Sequence, residues 1–289
     1  MSARRTGVAD RPIGVFDSGV GGLTVLRALQ ARLPHERFVY LGDTARLPYG
    51  TKSAATVVRY ALQAADALVG RGVKALVVAC NTASAVALPA MTERYGGLPL
   101  VGVVEPGADA ALAATRSGCI AVIGTEATVR GGAYQRAITA RRPGARVRAA
   151  ACQLFVALAE EGWTDGPIAR HAAERYLRPL LQARGVLPRA DTLVLGCTHF
   201  PMLRAVIREV AGAGVVIVDS AATTAAAVHR LLRERGLLAR AGRPARPGGS
   251  GRAAALQLLA TDGAARFAAV GGRFLGRPIQ PREVELIDL

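Results

Sequence analysis

The stretch Ala75-Leu76-Val77-Val78-Ala79-Cys80-Asn81-Thr82 decides the fold, and Leu193-Val194-Leu195-Gly196-Cys197-Thr198-His199 repeats its pattern. Each begins with a short apolar run bounded by turn chemistry, which suits a parallel strand covered on both faces. Small polar residues follow each cysteine, and Pro201 falls where the first turn of a helix tolerates it. Each thiol is therefore expected where a strand hands over to a helix, the place where open α/β sheets bind ligands. A helix N-terminus also favours the thiolate, the form that does chemistry. Two thiols so placed predict a pair facing one small substrate.

Outward from these strands the same alternation continues. Apolar runs predict strands at 13–16, 38–41, 98–104, 120–123, 146–150, 215–218, 256–259 and 284–289. Helical patterns lie at 23–32, 53–70, 129–140, 167–184, 222–235 and 264–275, and 155–161 reads as a loop or helix start. The fold class is α/β, with mainly parallel sheets. Glu105-Pro106-Gly107 reads as a break and a domain boundary. Ala239–Arg252, rich in Gly, Pro and Arg, reads as a loop with no function of its own. Strand, Asp17-Ser18-Gly19, helix, strand, Cys80-Asn81-Thr82 is echoed by strand, Gly124-Thr125, helix, strand, Cys197-Thr198-His199. That pattern predicts two similar units facing each other across a cleft, one thiol from each.

Composition bounds the function. The 289 residues are 51% hydrophobic and 20% charged, enough apolar material for a packed core in one large domain or two. No apolar run reaches the length of a membrane span. The basic N-terminus MSARRTGVADRP lacks an apolar signal core and reads as the frayed tail of a cytoplasmic protein. Four cysteines without a CxxC do not make a disulfide framework. The net charge of +16 invites a nucleic-acid reading, but the cations are nearly all arginines scattered over the predicted helices, and aromatics are only 4%. Few stacking platforms and no binding motif leave codon bias as the simpler account of that charge.

Paired thiols suit one reaction in particular. A thiolate can remove the Cα proton of an amino acid from one face, and a thiol can return a proton to the other, inverting the centre. No cofactor is required if the site holds both carboxylates and stabilises the carbanion-like transition state. The hydroxyls of Ser18, Thr82, Thr125 and Thr198, with neighbouring helix ends, are candidates for holding those carboxylates. Pro48, Tyr49 and Gly50, at the end of the second strand's loop, can point backbone N–H groups and a phenol into the cleft. Asp17 argues against a phosphate in the glycine loop Asp17–Gly22. Cys197 with His199 also resembles the Cys–His pair of a hydrolase, but that reading leaves Cys80 unused. A lone CxH is a poor zinc signal. Cys119 and Cys152 read as small core residues. Asp43 and Asp219 read as loop caps, and His35, His171 and His229 as solvated positions.

Taken together, GVFDSGVGGLTVL (Gly14–Leu26), YLGDTARLPYG (Tyr40–Gly50), ACNTAS (Ala79–Ser84), VEPG (Val104–Gly107), VIGT (Val122–Thr125) and GCTHFP (Gly196–Pro201) carry a resemblance. The chain resembles the glutamate racemases of the aspartate/glutamate racemase superfamily. The resemblance implies cofactor-independent interconversion of L- and D-glutamate, supplying D-glutamate for peptidoglycan. It implies Cys80 and Cys197 as the acid/base pair, Cys80 acting on the D-isomer and Cys197 on the L-isomer. Asp17 and His199 would assist the respective thiols, with Glu160 as a further acidic residue near the second. Asp17, Ser18, Pro48, Tyr49, Gly50, Asn81, Thr82, Thr125, Thr198 and His199 would line the substrate site, with no metal. The chain has CQLFVALAE (Cys152–Glu160) where the family often has CPxFVPLVE. An enzyme of the same design acting on aspartate or another acidic amino acid is the alternative. The implied organisation is a first α/β domain of 11–104 plus 217–289, a second of 105–216, and a flexible tail at 1–10. Homodimers are common in the family, and some members bind DNA gyrase as a second role, which the +16 charge leaves open here.

Overall fold

Short apolar runs alternating with amphipathic ones can bury both their faces only as parallel strands between helices. The computed structural model describes residues 7–183, 188–239 and 256–289. A first run comprises β1 (Ile13–Asp17), α1 (Leu23–Arg32), β2 (Phe38–Gly42), α2 (Ala54–Gly70), β3 (Ala75–Val78), α3 (Asn81–Val86), α4 (Leu88–Arg94) and β4 (Leu100–Gly102). A second opens with α5 (Val104–Ala114), β5 (Cys119–Gly124), α6 (Glu126–Arg130), α7 (Ala133–Arg141) and β6 (Arg146–Ala151). It continues through α8 (Leu154–Glu161), α9 (Gly166–Leu181), β7 (Thr192–Gly196), α10 (Arg204–Ala211) and β8 (Val216–Asp219). The chain then returns through α11 (Ser220–Glu234) to β9 (Leu256–Ala260), α12 (Ala264–Leu275) and β10 (Val284–Leu286).

The strands form two sheets, ordered β10-β9-β2-β1-β3-β4 and β6-β5-β7-β8, with every pairing parallel. The two orders share one logic. From β1 the chain crosses to β2 on one side, and from its neighbour β3 it crosses to β4 on the other. From β5 and β7 it diverges in the same way, to β6 and β8. Such a point of divergence opens a crevice at the carboxyl ends of the strands. Those ends carry Asp17-Ser18 and Cys80 in one sheet, Gly124-Thr125 and Cys197 in the other. The echo in the sequence is thus an echo in topology.

One apolar cluster joins the halves. It runs from Val15 and Leu26 through Val228 of α11 to Ile123, Leu193 and Leu177. Two glycines allow the halves to close up. A Cβ on Gly21 would lie 2.4 Å from Thr198 Oγ1 and 2.5 Å from the His199 ring. A Cβ on Gly50 would lie 2.8 Å from Thr125 Cβ. The glycine loop after β1 therefore serves close approach between the halves.

Several expectations need correction. Glu105-Pro106-Gly107 does not break the chain: α5 runs through it, because Pro106 lies in the first helical turn, where its missing N–H has no intrahelical partner to lose. The segment 155–161 is a full helix, α8, closed by Gly162 in the left-handed region. The helix expected at 129–140 is two, divided at Gly131-Gly132, with Gly132 left-handed. The 216/217 boundary would cut β8, which pairs with β7 in the second sheet. Within the expected tail, Val8–Asp10 form a 3-10 turn, and the buried ammonium of Lys74 takes Ala9 O, Leu237 O and Glu36 as acceptors. A buried cation needs that full set of partners. Residues 1–6 of that tail, 240–252 of the expected loop and the expected helix end at Arg184 lie outside the described residues.

Candidate active site

Cys80 follows β3 and is the N-cap of α3. Its Sγ accepts the Ala83 N–H at 3.5 Å and donates to Ser18 Oγ at 3.4 Å. Asp17 closes β1 and is fully buried. Its Oδ2 accepts the Gly19 N–H at 3.0 Å, while Oδ1 has no partner. Burial raises the Asp17 carboxyl above its usual range, against the pull of His199 and of the Gly22, Gly19 and Ser18 amides. Burial, then the Asp17 charge, push the Cys80 thiol up to about 12, so at neutral pH it holds its proton.

Cys197 follows β7 differently. The next helical turn is a 3-10 turn beginning at Phe200, and the sulfur's partner is a side chain: Cys197 Sγ lies 3.8 Å from His199 Nδ1. His199 Nε2 donates to Glu160 Oε1 at 3.2 Å, and Phe274 of α12 packs edge-on against the ring at 5.2 Å. Burial disfavours the imidazolium, but the hydrogen bonds with Cys197 and Glu160 and the charge of Asp17 outweigh it and carry His199 up to about 10. The hydrogen bond from His199 holds the Glu160 carboxyl below its ordinary value, with Arg266 adding to it.

The two thiols line one cavity of about 340 Å³ between the halves, with Ser18, Pro48, Tyr49, Gly50, Asn81, Thr82, Thr125, Glu160, Thr198 and His199. Every residue expected at the site is on that wall except Asp17, which lies buried behind it at the end of β1. Tyr49 departs from expectation in one respect. Its hydroxyl donates to Asp43, which also accepts from Arg46 at 2.7 Å and from Thr261 at 2.9 Å. The phenol hydroxyl is therefore committed to the loop carboxylate Asp43. Asp219 caps α11 by accepting the Ala221 N–H at 2.8 Å. Cys119 and Cys152 are buried in the core, and burial pushes the Cys152 thiol upward. His35 and His171 are exposed and His229 is half-buried.

Other contributors were not singled out from the sequence. Tyr134 of α7 donates to Asn81 Oδ1 at 2.8 Å and so fixes its amide, leaving Nδ2 without a partner. Thr128 touches the Thr125 hydroxyl at 3.0 Å and, across the halves, that of Thr82 at 3.4 Å, beside the 2.9 Å contact of Thr82 with Thr125. Leu47, Gln153, Val156 and Ala157 complete the wall. Thr128 lies three residues after Thr125, which caps α6 by accepting the Thr128 N–H. Tyr134 offered only the rule that a buried phenol seeks a partner. Among the described residues, no three His, Cys, Asp or Glu side chains are grouped to hold a metal ion, and no helix is long and apolar enough to cross a membrane.

The family model for Asp/Glu/hydantoin racemases matches residues 23–228. The glutamate racemase of Geobacter metallireducens is 52% identical over 266 residues, 92% of this chain and 93% of that one. The crystal structure of glutamate racemase isoform RacE1 from Bacillus anthracis superposes with a TM-score of 0.86 at 35% identity, covering 96% of this chain and 98% of the other. The Francisella tularensis glutamate racemase in complex with D-glutamate gives 0.85 at 34% identity, covering 97% and 98%.

Proposed function

The chain belongs to the Asp/Glu/hydantoin racemase family, and on that premise we propose that its cavity interconverts L- and D-glutamate by proton transfer between Cys80 and Cys197. One observation carries the reading: two thiols from opposite halves line a single cavity, each with its own ionisable neighbours. Cys197, beside the His199 cation, takes the Cα proton of L-glutamate. Cys80, protonated at rest, gives its proton to the opposite face. The reverse reaction exchanges the roles, with Asp17 drawing the proton from Cys80. A carboxyl raised by burial is the better base for that task. Asn81 Nδ2 and the threonine hydroxyls supply donors for the substrate carboxylates and the developing carbanion. The chemistry on these residues needs no cofactor. The product D-glutamate serves peptidoglycan synthesis, and a cytoplasmic enzyme is the reading that fits that role.

Incubation of each glutamate enantiomer in D2O without added cofactor tests this. Deuterium is expected at Cα together with loss of optical rotation. Cys80→Ser and Cys197→Ser are each expected to lose at least about 10²–10⁴ of the rate, the scale of a positioned acid or base. Turnover of aspartate but not glutamate would move the assignment to another acidic amino acid. No exchange with either would overturn the paired-thiol reading.

A further inference from the structure

Glu160 reaches His199 from α8, but what aims it comes from another part of the chain. Its Oε2 accepts from Arg266 Nη2 at 3.2 Å. Its backbone carbonyl accepts from the Arg273 guanidinium. Both arginines lie on α12, two turns apart and hence on one face of that helix. The face they share also carries Phe274, which packs on the His199 ring. Three side chains of the returning segment, which itself belongs with the sheet of Cys80, thus converge on the acid–imidazole pair behind Cys197.

We infer that Arg266, with Arg273 holding the end of α8, is a positioning residue that fixes the Glu160 carboxylate for His199 and so serves the Cys197 proton transfer selectively. This rests on the two-thiol reading above. The Arg266 side chain is 66% exposed, so its ion pair contributes little to folding. Its effect is on where the second carboxylate oxygen sits, and through it on the direction of the Oε1 lone pairs toward Nε2. A misdirected partner leaves the imidazole free to turn away from the sulfur.

The test uses the full chain as Arg266→Met and Arg266→Lys, with Arg277→Ala as control, since Arg277 pairs with Glu283 away from the site. Because the equilibrium constant between enantiomers is unity, kcat/KM must fall equally in both directions. What distinguishes the halves is the isotope effect of Cα-deuterated substrate. For Arg266→Met, kcat/KM is expected to fall about three- to fivefold with an unchanged melting temperature. The isotope effect is expected to rise for L-glutamate, whose proton Cys197 removes, and to shrink for D-glutamate. Arg266→Lys should restore most of the loss. An unchanged kcat/KM, or an isotope balance that stays level or tilts toward D-glutamate, overturns the inference while leaving the two-thiol reading intact. A wild-type protein that fails to exchange Cα hydrogen overturns both.

Discussion

Cys80 and Cys197 end equivalent strands of two sheets with the same order, yet their surroundings are built from different materials. Around Cys80 the partners are a backbone N–H of its own helix, α3, and the Ser18 hydroxyl and Asp17 carboxylate at the end of the adjacent strand. Around Cys197 they form a relay of side chains, from His199 to Glu160 to Arg266, drawn from three distant segments. The position matching Asp17 in the second sheet is Gly124, which has no carboxylate to offer. The second half therefore imports its charge through α8 and α12. Similar topology fixes where the two sulfurs stand, and local chemistry decides which proton each holds.

The largest test of that difference removes each thiol's assistant. Asp17→Asn and His199→Gln are each expected to lower kcat/KM about 10²-fold, the lower range for a group assisting proton transfer. The isotope effect of Cα-deuterated substrate should grow for D-glutamate in Asp17→Asn and for L-glutamate in His199→Gln. Equal shifts in both variants would mean that the halves do not act separately.

A middle-sized effect concerns pH and stability. The imidazolium of His199 is raised from 6.5 to about 10 in the folded chain. A group whose folded pKa is raised stabilises fully below its unfolded value and loses that contribution as pH rises through the folded one. Melting temperature should therefore decline between about pH 6.5 and 10, and the decline should be shallower in His199→Gln. A slope identical in both proteins would detach His199 from the stability of the site.

The smallest effect sharpens the comparison from the Cys80 side. Tyr134→Phe removes one buried hydrogen bond to Asn81, a loss of about 0.5–1.5 kcal/mol. A KM increase of a few fold, with the isotope balance unmoved, is expected if Asn81, as proposed, holds substrate rather than moving a proton. A tilt of that balance would put Asn81 into the chemistry.

Much of this was legible in the chain. The ten strands among the described residues fall within a residue or two of the apolar runs, except that β10 stops three residues short of its run, because a strand buried on both faces leaves an uninterrupted apolar run. Pro106 misled because proline marks both a break and a first helical turn, and which it marks depends on where the helix begins. The wall residues next to the two cysteines were readable from strand-to-turn junctions. Tyr134, Thr128 and Arg266 were not, since their roles depend on which helix faces which.

The sequence by itself determined two units of parallel sheet, a thiol at the carboxyl end of a strand in each, and a chemistry suited to taking a proton from one face of a carbon and returning another to the opposite face. Periodicity and turn residues act over a few positions, so they can be read locally. Tertiary structure decided that Gly21 sits under Thr198 and His199, that the Tyr49 hydroxyl belongs to Asp43, and that α12 reaches Glu160. The first and last are contacts between groups far apart in the chain, set by how two sheets and their returning segment pack, and the second joins residues six apart in a loop whose shape no periodicity along the chain fixes.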